Sequence, residues 1–347
     1  VFFLRAVPTC RYTLAMLKKA LEFYTRGFAL WVILLGVVAY HWPEAFKAIN
    51  AFHLAKLLPQ AWNQGLMVQT LAFMTANRLF FAVTMFGIGV ALQPEEFREI
   101  VRRPGLVVIG TAAQYTIMPL AAWLLGRLFH LPPALAVGLI LTAATPEAMS
   151  SNVMSYVAKA DTAYAVSLTI VSTLICPIVT PGLTKLLAGT LLPIEFWPML
   201  LDVMVMVIVP LWVGFWVRRW LGRSLDAILP VFPALSVTLI TFICALVIAL
   251  NKERLSQVTG VVLTVDIALN VVGLVGGYAV AVLFAMTRPQ RRTLALEVGM
   301  QNAALGAALA VEHIGPEAAI PAAIFVFVCI ITAAMLAAVW QRMEPQG

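Results

Sequence analysis

The sequence predicts an all-α transmembrane fold: a ten-helix bundle built from two inverted five-helix repeats. Three observations carry this expectation. The chain is 62% hydrophobic and 11% charged, with a mean hydropathy of +0.95, which is more apolar surface than a soluble core absorbs. Apolar runs fall at 27–43, 71–92, 105–128, 134–158, 163–187, 197–217, 228–250, 259–286, 293–314 and 317–341, each near the ~20 residues that cross a bilayer. Finally, Glu147-Ala-Met-Ser-Ser-Asn152 has a counterpart 150 residues later, Glu297-Val-Gly-Met-Gln-Asn302. A polar signature repeated in both halves of an apolar chain marks a secondary transporter made of internal repeats.

Taken in order, residues 1–26 hold Arg5, Arg11, Lys18, Lys19 and Arg26 without a cleavable signal pattern. They read as a basic interfacial helix or a loose tail, and the start at Val1 as a truncated terminus or an unusual start codon. After the first span, the stretch 44–70 follows Pro43 and contains Pro59, and reads as a re-entrant or surface helix. Arg78 marks the start of the second span. The halves meet near 188–197, giving a first repeat over 27–190, a second over 191–341 and a tail at 342–347. Counted over the loops, 16 Lys and Arg lie on one side and six on the other. That asymmetry puts both termini in the cytoplasm, and an odd number of helices per repeat inserts the second copy upside down. The expectation is a multi-pass protein of a plasma (inner) membrane.

Composition also excludes classes of function. The net charge of +7 comes from short basic clusters between apolar runs, a membrane-flanking pattern rather than a nucleic-acid footprint. Cys10, Cys176, Cys244 and Cys329 are scattered, and His41, His53, His130 and His313 approach no cysteine pair, so no transition-metal site is expected. The spans hold no nucleophile–base pair, which argues against an enzyme. No obligate protein partner is expected.

An ionisable group inside a membrane span is costly and usually faces a cavity or a bound ion. In the fourth run, Pro146 lacks a backbone donor and clashes with the preceding turn, so the helix should break there. The ninth should break near Gly299. Broken helices free carbonyls for cations and amides for anions, and Glu, Gln, Asn and Ser oxygens suit a hard cation. The plainer reading is that Ser, Asn and Gln glue helices together. Thr169 shares a face with Ala165 and Thr173, but membrane Thr often bonds back to its own helix. Gln114 and Asn270 occupy related places in the two halves. Asp266, one turn before Asn270, reads as a protonatable acid, a cation ligand or a neutral partner of Asn270. Asp202, near the start of its span, is expected to reach the headgroups.

Met85-Phe-Gly-Ile-Gly-Val-Ala-Leu92, Gln114-Tyr115 with Met118-Pro119, Ser151-Asn152-Val-Met-Ser-Tyr156-Val-Ala-Lys159, Ser172-Thr173-Leu174 with Pro177, and Glu297-Val-Gly-Met-Gln-Asn302 together resemble the bile acid:sodium symporter family over residues 25–341. The resemblance implies a four-helix panel domain and a six-helix core domain in which spans four and nine unwind and cross. It implies one sodium site from Ser151, Asn152, Thr169 and Glu297. A second would use Gln114, Glu297, Gln301 and the carbonyls of Val298 and Met300. An organic anion would enter the crevice between panel and core, where Asn302 and the segment Met149–Ser150 would face its charge.

Three positions depart from that pattern. Ala165 stands where the family has a Ser oxygen. Thr145-Pro146-Glu147-Ala148 replaces a Cys-Pro-Gly-Gly run and adds a carboxylate, and Cys329-Ile330 replaces a polar pair. The resulting expectation is a symporter that moves Na+ with an organic anion (a bile acid, a steroid conjugate or a small carboxylate) through the lipid bilayer, its first sodium site weaker than its second. The rivals are a proton-coupled or one-sodium transporter using Glu147 or Asp266, and a membrane-embedded sensor without flux.

Overall fold

The computed structural model describes residues 20–21, 24, 28–50, 76–225, 229 and 231–343. All regular elements among them are helical: α1 (Phe28–His41), α2 (Pro43–Asn50), α3 (Ala76–Ala91), α4 (Pro94–Arg102), α5 (Pro104–Leu128), α6 (Pro133–Ala143), α7 (Ser150–Val157), α8 (Thr162–Ala188), α9 (Phe196–Val203), α10 (Val209–Leu221), α11 (Val231–Leu250), α12 (Lys252–Leu283), α13 (Arg288–Gly299), α14 (Ala303–His313) and α15 (Ile320–Arg342). The expectations for residues 1–19 and 51–75 lie outside the described residues.

Five helical stretches are long and apolar enough to cross a membrane: Pro104–Leu128, Thr162–Ala188, Phe196–Leu221, Gln257–Leu283 and Pro316–Arg342. Shorter apolar helices cover Leu30–His41, Arg78–Ala91, Pro133–Ala143, Ala234–Leu250 and Ala303–His313. The fourth and ninth apolar runs are each two short helices separated by an irregular segment, which is why neither is a long helix. One of the basic clusters between apolar runs, Arg98 to Arg103, counted above as a loop, lies on helix α4 up to Arg102. Gln93 caps it in a reciprocal arrangement with Glu96, satisfying two orphan donors of the first turn. Arg78 does stand in the first turn of α3.

The chain forms two compact units. Residues 1–92 and 205–249 make the first, and 93–204 with 250–347 the second. In the first, α3 and α10 meet backbone to backbone. A Cβ added at Gly89 would lie 2.0 Å from the Leu211 carbonyl oxygen, and one at Gly214 would lie 2.2 Å from that of Phe86. Only glycine permits such an approach, the usual device where lipid removes the hydrophobic drive between helices. Phe242 of α11 stacks on Phe46 and meets Phe80 edge-on. Ahead of α10, Met204–Ile208 widens to a π-turn because Pro210 offers no N–H to the turn before it.

In the second unit α12 lies along α5, α13 and α15, and α14 packs on α6 and α15. Glycines again set the spacing. A Cβ at Gly138 would sit 1.8 Å from the Ala318 carbonyl oxygen, and one at Gly277 2.4 Å from that of Leu294. Asp161 caps α8 by accepting from the Tyr164 N–H at 3.1 Å and pairs with Arg103 at 2.7 Å. Its own N–H donates to Thr293 Oγ1 at 2.9 Å. One residue thus ties together segments that are far apart in sequence.

Asp202 corrects an expectation. It does not reach outward: it is buried, with Oδ2 2.7 Å from Nε2 of His313 at the end of α14. Its place on α9 turns it toward the packed side of the helix, where an imidazole meets it.

Filling the α6 contact should therefore destabilise the protein. Gly138→Ala should lower stability by about 1–3 kcal/mol, read as thermal unfolding in detergent. Gly260→Ala, where an added Cβ meets nothing within 4 Å, should leave the midpoint unchanged or slightly raised.

Candidate functional site: the crossing of two broken helices

The site begins with two interruptions. Helix α6 stops at Ala143, three residues before Pro146, and α13 stops at Gly299. A break in apolar surroundings exposes carbonyls and amides that must find partners. Here each break answers the other. The Ala148 N–H donates to the Met300 carbonyl at 3.0 Å and the Asn302 N–H to the Pro146 carbonyl at 2.8 Å. These bonds form an isolated antiparallel bridge between Glu147 and Gln301.

Side chains satisfy much of the remainder. Thr180 Oγ1 donates to the Ala144 carbonyl at 2.7 Å, and Gln114 Nε2 to that of Thr145 at 3.1 Å. Asn270 Nδ2 donates to the Gly299 carbonyl at 2.8 Å and Gln301 Nε2 to that of Val298 at 2.9 Å. Asn302 caps α14 by accepting from the Leu305 N–H at 3.2 Å.

Around this crossing lie three polar groups. In the first, Glu297 is fully buried and accepts from Ser151 Oγ at 2.7 Å and Ser155 Oγ at 3.3 Å. Thr169 Oγ1 stands 3.4 Å from Glu297 Oε2, 3.1 Å from its own turn's Ala165 carbonyl and 3.3 Å from Asn152 Nδ2. In the second group, Gln114 Nε2 lies 3.3 Å from Gln301 Oε1, while Gln114 Oε1 has no bonding partner. The third is Glu147, buried and accepting from Ser172 Oγ, with its other oxygen unpartnered. The Ser172 carbonyl is held in turn by the Tyr115 hydroxyl at 2.9 Å.

The sequence-predicted residues therefore separate cleanly. Ser151, Asn152, Thr169 and Glu297 come together, as do Gln114, Gln301 and the Val298 carbonyl. The Met300 carbonyl belongs to the bridge. Ser150 and Met149 lie half-buried at the entry to α7. Asp266 is set apart, and of its three readings the pairing with Asn270 is not the one seen: the Asn270 amide turns to Gly299, and neither oxygen of Asp266 has a partner.

Two contacts at the breaks are not among those the sequence predicts. Ser155 lies one turn after Ser151 on the same face of α7, a spacing that was available as a signal. The Ser172–Glu147 bond had no such signal, because nothing local places α8 against the break.

The chemistry of this donor set is oxygen alone. Among the described residues no Lys or Arg is buried, while Glu147 and Glu297 are. A buried carboxylate without a cationic side chain takes its compensating charge from a proton or a cation.

An all-helical chain with five stretches long and apolar enough to cross a bilayer has the make-up of an integral membrane protein. The sequence model of the Sodium Bile acid symporter family matches residues 78–258, and the chain belongs to that family. It is 35% identical over 327 residues, 94% of each chain, to the uncharacterized sodium-dependent transporter YocS of Bacillus subtilis (strain 168). It is 30% identical over 265 residues, 76% of this chain and 66% of the relative, to the probable sodium/metabolite cotransporter BASS1, chloroplastic, of Arabidopsis thaliana. The rice BASS1 protein (Oryza sativa subsp. japonica) is 28% identical over 332 residues, 95% of this chain and 76% of the relative.

Because Ser151 donates to Glu297, removing its hydroxyl should cost about 1.5–3 kcal/mol, the range for a bond to a charged group. Ser151→Ala should lower the thermal midpoint in detergent, and Ser150→Ala should not. Equal behaviour of the two variants would show that the 2.7 Å contact contributes nothing.

Proposed function

We propose that this chain is a sodium-coupled symporter of an organic anion, working by alternating access. The observation that carries the reading is Glu297. It is a fully buried carboxylate ringed by three hydroxyls, four residues before Gln301, the partner of Gln114, with no buried Lys or Arg among the described residues. Sodium would bind at Ser151, Asn152, Thr169 and Glu297, and again at Gln114, Glu297, Gln301 and the carbonyls of Val298 and Met300. The carboxylate shared between the two sites offsets ion charge where water does not.

The anion would bind beside the crossing, at Met149, Ser150 and Asn302. Asn302 already presents the start of α14, where backbone amides favour negative charge. Bile acids, steroid conjugates and small carboxylates fit this description. Two sodium ions per monovalent anion carry one net charge, adding roughly 2.3 kcal/mol per 100 mV to the driving force.

The same reading gives ten spans in two inverted repeats, 27–190 and 191–341, with both termini in the cytoplasm of a plasma (inner) membrane. Support comes from the broken fourth and ninth runs and from the separation of residues 1–92 and 205–249 from the rest, the division expected of panel and core. A second reading, one sodium and one proton, is favoured by Glu147, whose Oε1 has no partner. A sensor without flux would bind sodium and move nothing.

Uptake of labelled organic anions into proteoliposomes, with and without a sodium gradient, tests the function. In Glu297→Gln the oxygens survive and the charge does not, so sodium-stimulated uptake should fall at least a hundredfold while the protein still folds and inserts. Unchanged sodium dependence would remove Glu297 from the mechanism. Cysteines placed at Trp220 and Glu253, in a background lacking reactive native thiols, should label from the cytoplasmic and external sides respectively. Labelling from one side would overturn the topology.

A further inference from the structure

Apart from the donors just described, α12 carries a second set of buried oxygens. Asp266 and Asn270, one turn apart on the same face, are both fully buried. Asp266 Oδ1, Asp266 Oδ2 and Asn270 Oδ1 have no bonding partner. Three unpaired acceptor oxygens, two of them from one carboxylate, form a costly group in a packed membrane protein.

Their surroundings are well defined. One turn before Asp266, Val262 closes an apolar cluster with Leu135 and Ile320. Beyond Asn270, Gly273 brings α12 against the end of α13, where an added Cβ would lie 3.0 Å from Gly299 Cα. Asp266 therefore sits between an apolar plug and the second break. The Asn270 amide is fixed by its 2.8 Å bond to the Gly299 carbonyl, which leaves Oδ1 as its unused end.

The first break has the same device. Gln114 donates to the Thr145 carbonyl at 3.1 Å and likewise keeps its side-chain oxygen unpartnered. At the second break, however, a carboxylate on the same helix stands one turn from the amide. Donors of one kind, with one formal negative charge, match the demand of a hard monovalent cation.

We propose that Asp266 and Asn270 form a third sodium site, separate from the two at the crossing and supported by the carbonyl of Gly299. It rests on the sodium coupling proposed above and deepens it. Three sodium ions per monovalent anion would move two net charges, so the site raises the steepness with which membrane potential drives accumulation. Because Asn270 also holds the Gly299 carbonyl, an ion on Asp266 and Asn270 stiffens the break that carries Gln301.

The test is a count of bound sodium. Equilibrium binding of radioactive sodium to the purified full-length protein in detergent should give three ions per chain in the wild type. Asp266→Asn, which keeps the shape and one oxygen, and Asp266→Val, which suits the apolar neighbours, should each give two. Glu297→Gln should lose sodium at the crossing and retain the ion at Asp266. A wild-type sodium count preserved at unchanged affinity in a folded Asp266 variant would overturn the third site, as would a variant that alters only the pH dependence, since Asp266 would then be a protonated acid. A wild type that binds no sodium at all would instead overturn the coupling itself.

Discussion

The second unit is organised by one constraint: a backbone interrupted within a membrane has to satisfy its own polar groups. Two interruptions placed in register do this for each other. The bonds Ala148 to Met300 and Asn302 to Pro146 close what Pro146 and Gly299 open. Side chains from α5, α8 and α12 then take up carbonyls that the bridge leaves over. Gln114, Thr180 and Asn270 are therefore structural partners of the breaks before they are anything else, and the positions of the carboxylates follow from the crossing they surround.

The same arrangement assembles the donors around Glu297 from distant parts of the chain. Glu297 sits on the last turn of α13, and its hydroxyl neighbours sit on α7 and α8. Three separate segments must be in place before the cluster exists. Any motion that shifts α7 against α13 alters the Ser151 and Ser155 distances to Glu297 together, so an ion bound there, as proposed above, would be linked to the geometry of the two breaks. A ligand shifts a conformational equilibrium only by its differential affinity for the two states, and a site assembled from several segments supplies that difference.

The helices were largely legible from sequence because hydrophobic runs of membrane length are long and strong signals. The breaks at Pro146 and Gly299 were legible too, from a missing N–H and a glycine inside otherwise apolar runs. Helix α4 was not, since its charges imitate a loop when the capping of Gln93 by Glu96 is overlooked. The residues around Glu297 were found through their repeated pattern and their family likeness. Ser155 was overlooked although its spacing from Ser151 was visible. The inward turn of Asp202 toward His313, and that of Glu147 toward Ser172, depend on which helix happens to lie opposite. No local pattern encodes that.

The contact between α3 and α10 bears on how the chain is made. Gly89 and Leu211 touch through their backbones, yet about 120 residues separate them. At a synthesis rate of about 5–20 residues per second, the bare groove on α3 waits roughly 6–24 seconds for its mate. Through that interval lipid or another helix must cover the glycine face. The newborn chain is thus most exposed to wrong pairing midway through translation, well before its last helix has left the ribosome.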